Sequence, residues 1–467
     1  MELKNIVLWG TGIIGKKYYS MLQKLGKKPV MFVDNNIEKQ GKFMDDIPIY
    51  PPDILKNAND YTVLIACKAN DDIYKQALEL GISENKIFSV YDTSYILMSY
   101  LIDCDAWNIG EIRNKERKEN SIAIDLQNGA ALGGVETWAL EQGEKLRTAG
   151  KKVTFMLGNP ENNQLVIPAY FESVNISIEK DLEQQVMENV TFLISRQCDV
   201  VISNFVGNIF IAYCYYKRLH EKVKHIMVIH NDELPYFKAA IAMQEYIDFC
   251  IVISTRIKEK LLSCGFPEKK IVVLNWNISV SDDYRLVTKN EKLRIGYAGR
   301  VTKKQKRLDF LPKIIDKLNQ EKIVYIFELA GVGDYYDELE EYICSNDLKD
   351  RVVLLGMLEK SKMRDFWRGQ DIYLSCSDWE GHSISQCEGI ASGAVPVVTD
   401  VSGAGDDIED GVTGYIVSVG DWEALADRIV YLDQHRDILK RMSDAGMDKM
   451  RERNRLFRDN VLEELCR

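Results

Sequence analysis

Residues Ser375 to Thr399 read S-C-S-D-W-E-G-H-S-I-S-Q-C-E-G-I-A-S-G-A-V-P-V-V-T. The apolar run Asp371-Ile-Tyr-Leu-Ser375 that leads into it reads as a buried strand, and Val395-Pro-Val-Val-Thr399 reads as the next. Between them come loop residues and then helix periodicity. Ser383 with Gln386 three residues on fits a capping box, so the spacing predicts a helix from Ser383 to about Gly393. Glu380 then lies on the loop and Glu388 inside the helix.

The unpaired N–H groups of the first turn, from His382 through Ser383 and Ile384 to Ser385, form a positive end that suits a phosphate. Glu388 falls about 7 Å further along the axis. A nucleoside diphosphate at the helix tip would place its ribose beside Glu388 and whatever hangs from its distal phosphate beside Glu380 and Gly381. Taken alone, the default reading of the same two residues is a surface loop glutamate and a solvated helix glutamate.

The flanking sequence bears on that choice. Upstream, Leu293-Arg-Ile-Gly-Tyr-Ala-Gly299-Arg300 reads as a strand ending in a glycine turn, and Lys306, Arg307 and Asp309 carry a cationic loop into a helix. A departing diphosphate needs positive charge, and Arg and Lys can supply it. Glu328-Leu-Ala-Gly331-Val-Gly333 is a further strand and turn. Downstream stand Ser402-Gly403-Ala-Gly405 and Gly411-Val-Thr-Gly414-Tyr415. From 121 to 285, strands are expected at Ser121–Leu126, Lys152–Leu157, Asp199–Asn204, His225–His230, Phe249–Ser254 and Lys270–Trp276, with helical patterns between most of them. That alternation specifies a parallel sheet covered on both faces, whose ligands gather at the carboxyl ends of strands. Two of those ends carry the glycine loop Gln127–Gly134 and the triplet His230-Asn231-Asp232.

The pattern E-x7-E followed by P-V-V-T resembles the signature of retaining GT-B glycosyltransferases of family four, and five further motifs between 121 and 450 match it in order. The resemblance implies an α/β GT-B architecture, two Rossmann-like domains facing a cleft. It implies catalytic roles for Glu380, His230, Arg300 and Lys306, with Arg307 competing for the lysine position. It implies donor contacts from Glu388, Gly133, Gly134, Gly299, Gly381, His382, Ser383 and Ile384. His382 and Ser385 depart from the usual residues at their positions, which bears on donor identity. Transfer would require no cofactor and no metal. The donor would be a UDP- or GDP-linked sugar and the acceptor a glycan or lipid-linked glycan, in bacterial surface-polysaccharide or glycoconjugate synthesis.

At the other end of the chain, the strand Leu3–Trp9, Gly10-Thr-Gly12-Ile-Ile-Gly15, a helical run, and the strand Pro29–Val33 closed by Asp34 form a dinucleotide fingerprint in its required context. The unit is about half a full dinucleotide domain. It resembles small Rossmann-like modules that precede sugar-modifying enzymes, so NAD or a nucleotide-sugar is its expected ligand, with an empty scaffold as the alternative. The expected organisation is therefore a small Rossmann-like domain at 1–93, a charged linker at 94–120, a GT-B acceptor domain at 121–285, a donor domain at 286–450 and a C-terminal helix at 451–467.

Two motifs read as decoys. Asp103-Cys-Asp105 is a D-x-D in a connecting segment without a second acidic site. Tyr213 and Lys217 match a Y-x-x-x-K that an NAD-dependent oxidoreductase or epimerase would use, but they stand far from Gly12 in another domain. That activity is the alternative enzyme reading, and a non-catalytic nucleotide-sugar-binding scaffold is the non-enzymatic one. A net charge of −11 argues against nucleic acid as a partner, and none is expected. Ten cysteines at irregular spacing and five histidines predict reduced thiols rather than a disulfide frame or a zinc site. The apolar runs are too short to span a bilayer and the first residues lack a signal peptide's pattern, so the expected place is the cytoplasm, with peripheral membrane contact possible through a lipid-linked acceptor.

Overall fold

The computed structural model describes residues 4–57, 60–105, 107, 120–131, 133–159, 165–176, 182–282, 291–456 and 460–467. Three sheets follow one another along the chain, and almost every pairing is parallel. Their central strands are buried along their whole length: Ile6–Trp9, Ser121–Leu126, Val200–Ser203, Ile372–Ser375 and Val395–Thr399. Unbroken apolar runs of this kind are what a sheet covered on both faces requires. The covering helices are amphipathic. Leu311–Gln320, for example, buries Leu311, Ile314, Ile315 and Leu318 on one face.

The second sheet has seven strands in the spatial order Ile271–Val273, Phe249–Val252, Lys224–Ile229, Val200–Ser203, Ser121–Leu126, Lys152–Leu157 and Glu172–Asn175. The third runs Val352–Gly356, Tyr325–Ala330, Leu293–Ala298, Ile372–Ser375, Val395–Thr399 and Tyr415–Val417. In each, the first strand in sequence lies at the centre, between the second and the fourth. Chain direction across the sheet reverses there, and the loops leaving the first and fourth strands part to leave a crevice. The crevice of the second sheet is bounded by Gln127–Ala131, Gly133, Gly134 and Asn204, and that of the third by Gly299-Arg300 and Cys376–Ser383.

The N-terminal sheet is smaller and mixed, with Phe43–Met44 antiparallel to Ile47–Tyr50 at one edge and Met31–Val33, Ile6–Trp9, Thr62–Ile65 and Ile87–Phe88 parallel beyond it. The sequence reading missed that hairpin and the edge strand Glu172–Asn175. Neither has a long apolar run, and both are half exposed.

The expected charged linker begins as something else. Ser89 caps a helix, Val90–Asp103, with a complete capping box to Asp92, and the helix runs across the boundary expected at 93. It buries Tyr95, Leu97, Met98, Leu101 and Ile102, which join the N-terminal sheet and the second sheet in one apolar core. The Tyr95 hydroxyl donates to the Val206 carbonyl at 2.9 Å, and Lys238 pairs with Asp92 at 2.8 Å. The charged part of the linker, 108–119, lies outside the described residues. At the other end the helix Arg436–Leu456 continues through the boundary expected at 450. No described helix is long and apolar enough to cross a membrane, and all ten cysteines are free thiols.

Candidate active site

The helix predicted from Ser383 spans Ile384–Ala391, and the Ser383 side chain accepts from the Gln386 N–H at 3.3 Å. The reciprocal half of the capping box does not form. The Gln386 amide donates instead to Asp407 Oδ2 at 2.9 Å and to the Gly403 carbonyl at 3.3 Å, because a buried carboxylate lies within reach.

Glu380 stands on the loop before this helix and is buried. Its Oε1 accepts from Lys306 Nζ at 2.5 Å and from Ser377 Oγ at 2.7 Å. The competing Arg307 is engaged elsewhere, bonded to Asp309 and Asp378 with its guanidinium stacked 3.9 Å over the Phe310 ring. Arg300 is exposed and donates to Gln305 Oε1 at 2.5 Å, and Gln305 in turn donates to the Trp379 carbonyl at 3.1 Å. Glu388 lies further along the helix, half-buried. Burial pushes its carboxyl above the ordinary value, against a 3.3 Å hydrogen bond from the Trp367 indole.

His230 is buried opposite, at the carboxyl end of Lys224–Ile229, and packs edge-on against Trp138. Its Nε2 lies 2.8 Å from Asn204 Oδ1, while Asn204 Nδ2 donates to the Asp125 carbonyl at 2.9 Å. Because the Asn204 oxygen must accept, His230 Nε2 carries the proton. Burial pushes the imidazole down to about 3, so it is neutral. The Asn204 N–H also bonds Asp125 Oδ1, and Asp125 Oδ2 has no partner among the described residues. Burial pushes that carboxyl up to about 8. Asp125 and Asn204 are the residues sequence reasoning missed. The signal available was an aspartate inside the apolar run Ser-Ile-Ala-Ile-Asp-Leu.

The two halves touch around these groups. A Cβ built on Gly381 would lie 1.8 Å from the His230 carbonyl oxygen, so only glycine permits this approach. Trp379 donates to Glu233 at 3.2 Å, and Ser402 donates to Asp232 at 2.6 Å. Gly133 caps the helix Gly134–Thr148, and a Cβ on Gly134 would stand 3.5 Å from the Ile384 side chain. Glu136, on that helix, is buried. Burial raises its carboxyl, and the Arg300 charge opposes the shift.

His382 offers the crevice only its backbone. Its ring is fully buried, with Nε2 2.7 Å from Asp407 Oδ2, and Arg453 bonds the other carboxylate oxygen. Burial opposes charge on the imidazole, but the neighbouring Asp407 outweighs it and holds the group well above its ordinary value. Asp407 is correspondingly drawn down to about 2, burial notwithstanding. The His382, Cys387 and Asp407 donor atoms lie within 4.8 Å of one another, a metal-like spacing, yet Arg453 and Gln386 already bond both Asp407 oxygens.

The facing sheets match solved glycosyltransferases. The lipopolysaccharide outer core galactosyltransferase WaaB superposes with a TM-score of 0.56 at 17% identity, over 74% of this chain and 99% of its own. HepE of Anabaena, solved in complex with UDP and glucose, gives 0.60 at 16% identity, over 74% and 99%. The fold is GT-B.

Within the GT-B pair, residues 292–435 match the family described as "Glycosyl transferases group 1". Ahead of that pair, residues 2–88 match "C2185-like, N-terminal". Among curated proteins, the amylovoran biosynthesis glycosyltransferase AmsK of Erwinia amylovora is 26% identical over 255 residues, which is 49% of this chain and 62% of that protein. The match thus spans under two thirds of AmsK.

The other predicted residues fall outside the GT-B crevice. Gly10 lies in the turn after the first N-terminal strand, Gly12 caps the helix Ile13–Lys24, and Gly15 is buried in the first turn of that helix. Gly10 has φ +120° and Gly15 packs against its carbonyl, while nothing stands within 4 Å of a Cβ on Gly12. Asp34 accepts from the Thr11 N–H at 2.9 Å, from the Thr11 hydroxyl and from Lys39 at 3.0 Å. Burial works to raise its carboxyl, but these bonds prevail and hold it below the ordinary value. The two decoys have structural partners. Asp103 and Asp105 accept from the hydroxyls of Tyr246 and Tyr215. Tyr213 is fully buried against Met156, and Lys217 pairs with Asp248, both beside the second sheet.

Proposed function

We propose that this chain is a retaining glycosyltransferase that moves a sugar from a nucleotide-sugar to a glycan or lipid-linked glycan in bacterial surface-polysaccharide or glycoconjugate synthesis. The observation that carries the reading is the Lys306–Glu380 pair at the tip of a capped helix, with Glu388 on that same helix and neutral His230 facing it from the other sheet. Arg300, Lys306 and the amides of 382–385 bind the diphosphate, and Glu388 accepts from the ribose hydroxyls. Glu380 and His230 hold sugar hydroxyls, the imidazole accepting at Nδ1. The acceptor enters over Gly133 and Gly134.

Positive charge at the departing phosphate is the main rate-enhancing term, and fixed placement of donor and acceptor is the second. The leaving phosphate takes the acceptor proton on the same face of the sugar. This differs from retaining hydrolases, which use two carboxylates about 5 Å apart. HepE holds UDP and glucose, which favours a UDP-linked donor here. AmsK's part in amylovoran synthesis favours a polysaccharide acceptor, met at the inner membrane face by peripheral contact. Residues 1–93 serve as an accessory Rossmann-like domain whose ligand is NAD or a nucleotide-sugar, with 121–285 as acceptor domain and 286–450 as donor domain. Incubating the protein with UDP- and GDP-sugars and a lipid-linked acceptor tests this. Transfer with retained anomeric configuration is expected, and hydride chemistry with NAD in its place would overturn it.

A further inference from the structure

We propose that Arg453, Asp407 and Trp276 are positioning residues that set the backbone of the Glu380–Ser383 tip by closing a ring of hydrogen bonds through His382. The inference rests on the functional reading above, because it assigns these residues a task at the same site.

The ring can be followed atom by atom. His382 Nε2 donates to Asp407 Oδ2 at 2.7 Å, with both side chains wholly removed from solvent. Asp407 Oδ1 accepts from Arg453, whose Nη2 donates onward to the Trp276 carbonyl at 2.7 Å. The Trp276 indole N–H returns to the His382 carbonyl at 3.1 Å. His382 is therefore held twice, by its ring and by its backbone. Gln386 adds a second tie from the tip helix to Asp407, at 2.9 Å.

The four members come from places far apart in the sequence. His382 is on the tip, Asp407 ends the short helix Ala404–Asp407, and Arg453 sits in the helix Arg436–Leu456. Trp276 belongs to the segment leading out of the second sheet after Ile271–Val273. Asn454 reinforces that last link, donating to the Ile278 carbonyl at 2.7 Å. The C-terminal helix thus clasps the exit from one GT-B half to the donor tip of the other, so that a shift of one half carries the tip with it.

A buried ion pair is weak evidence for stability, since apolar replacements are often neutral or better. What it supplies here is direction. The carboxylate and the guanidinium fork admit few arrangements, and the His382 carbonyl is fixed as a result. Asp407 and Arg453 make all these contacts away from the crevice, so any effect on transfer passes through the tip.

Three variants of the full chain test the ring: Trp276→Phe, which removes only the indole donor, Arg453→Lys and Arg453→Met. Two readouts are taken below each variant's unfolding temperature: hydrogen exchange of amides 381–386, and kcat with KM for the nucleotide-sugar. Trp276→Phe and Arg453→Met are expected to speed exchange at 381–386 and to lower kcat about tenfold, with KM for the donor within roughly threefold, since misplacement acts on the reacting geometry. Arg453→Lys is expected to recover part of the loss. Wild-type exchange and wild-type kcat in both Trp276→Phe and Arg453→Met would overturn the ring. A wild type that turns over no nucleotide-sugar would overturn the functional reading instead, and exchange at 381–386 would still report whether the ring holds the tip.

Discussion

Gly381 and His230 meet across the two sheets so closely that a Cβ on Gly381 would lie 1.8 Å from the His230 carbonyl oxygen. The contact joins the loop that bears Glu380 to the strand end that bears the imidazole. Gly381→Ala must push these apart. Overpacking of this kind costs about 1 to 3 kcal/mol, and if the closed geometry is the reactive one, transfer should fall roughly fivefold to hundredfold. Turnover by the purified variant, with its melting temperature as control, checks this, and wild-type turnover would contradict it.

Lys306 and Glu380 form a direct ion pair at 2.5 Å, so a diphosphate arriving at the tip competes with Glu380 for the lysine. Glu380→Gln should free Lys306 and tighten binding of a nucleoside diphosphate a few-fold while transfer falls. Lys306→Ala and Arg300→Ala should each slow transfer about tenfold or more, the effect of losing one charge-assisted contact of roughly 1.5 to 3 kcal/mol. Calorimetric titration beside steady-state kinetics separates the two effects. Weaker nucleotide binding in Glu380→Gln would mean that the glutamate itself contacts the nucleotide.

Asp125 gives the fold a pH dependence of definite sign. Its carboxyl is pushed from an ordinary value of 3.8 up to about 8 by burial, so between those limits the folded chain holds a proton that the unfolded chain has lost. Stability therefore falls as pH rises through that window, by at most about 1.4 kcal/mol per unit. Asp125→Asn keeps the acceptor for the Asn204 N–H and removes the titration. Denaturant unfolding at pH 6 and pH 8 should show the variant gaining on the wild type by roughly 2 kcal/mol at the higher pH. An equal difference at both values would show that Asp125 is ionised in the fold.

The helix Val90–Asp103 makes one core of the N-terminal and second sheets, with Leu97 fully buried in it. Leu97→Ala should cost about 2 to 5 kcal/mol and lower the unfolding of both sheets together. Calorimetry or hydrogen exchange resolved by peptide would show this. A separate early transition confined to residues 4–88 would contradict it.

The sequence made the α/β alternation, the tip helix and its Ser383 cap legible because each is written in local periodicity and in single side chains with strong preferences. It also made the Lys306–Glu380 neighbourhood legible, through a family pattern whose members recur in order. Asn204 and Asp125 were not legible. They are 79 residues apart and meet only because Val200–Ser203 lies beside Ser121–Leu126, a fact of topology rather than of spacing. His382 was misleading for a related reason. Its place beside Glu380 suggests the crevice, while its ring bonds Asp407, which Arg453 holds in turn, and both lie on later elements with no pattern linking them to it. Gln386 satisfied the capping-box rule, yet a buried carboxylate competed for its amide.

The central claim is that a nucleoside diphosphate binds at the tip of the Ile384–Ala391 helix with its ribose on Glu388. Thermal unfolding of the full chain with UDP, GDP, CDP and NAD in separate wells tests it most directly, because a ligand at 100 times its Kd adds about 2.7 kcal/mol. Stabilisation by one nucleoside diphosphate, abolished in Glu388→Ala, is the predicted result. Stabilisation by NAD alone, abolished in Gly12→Val and untouched in Glu388→Ala, would contradict the account and move the activity to the N-terminal sheet.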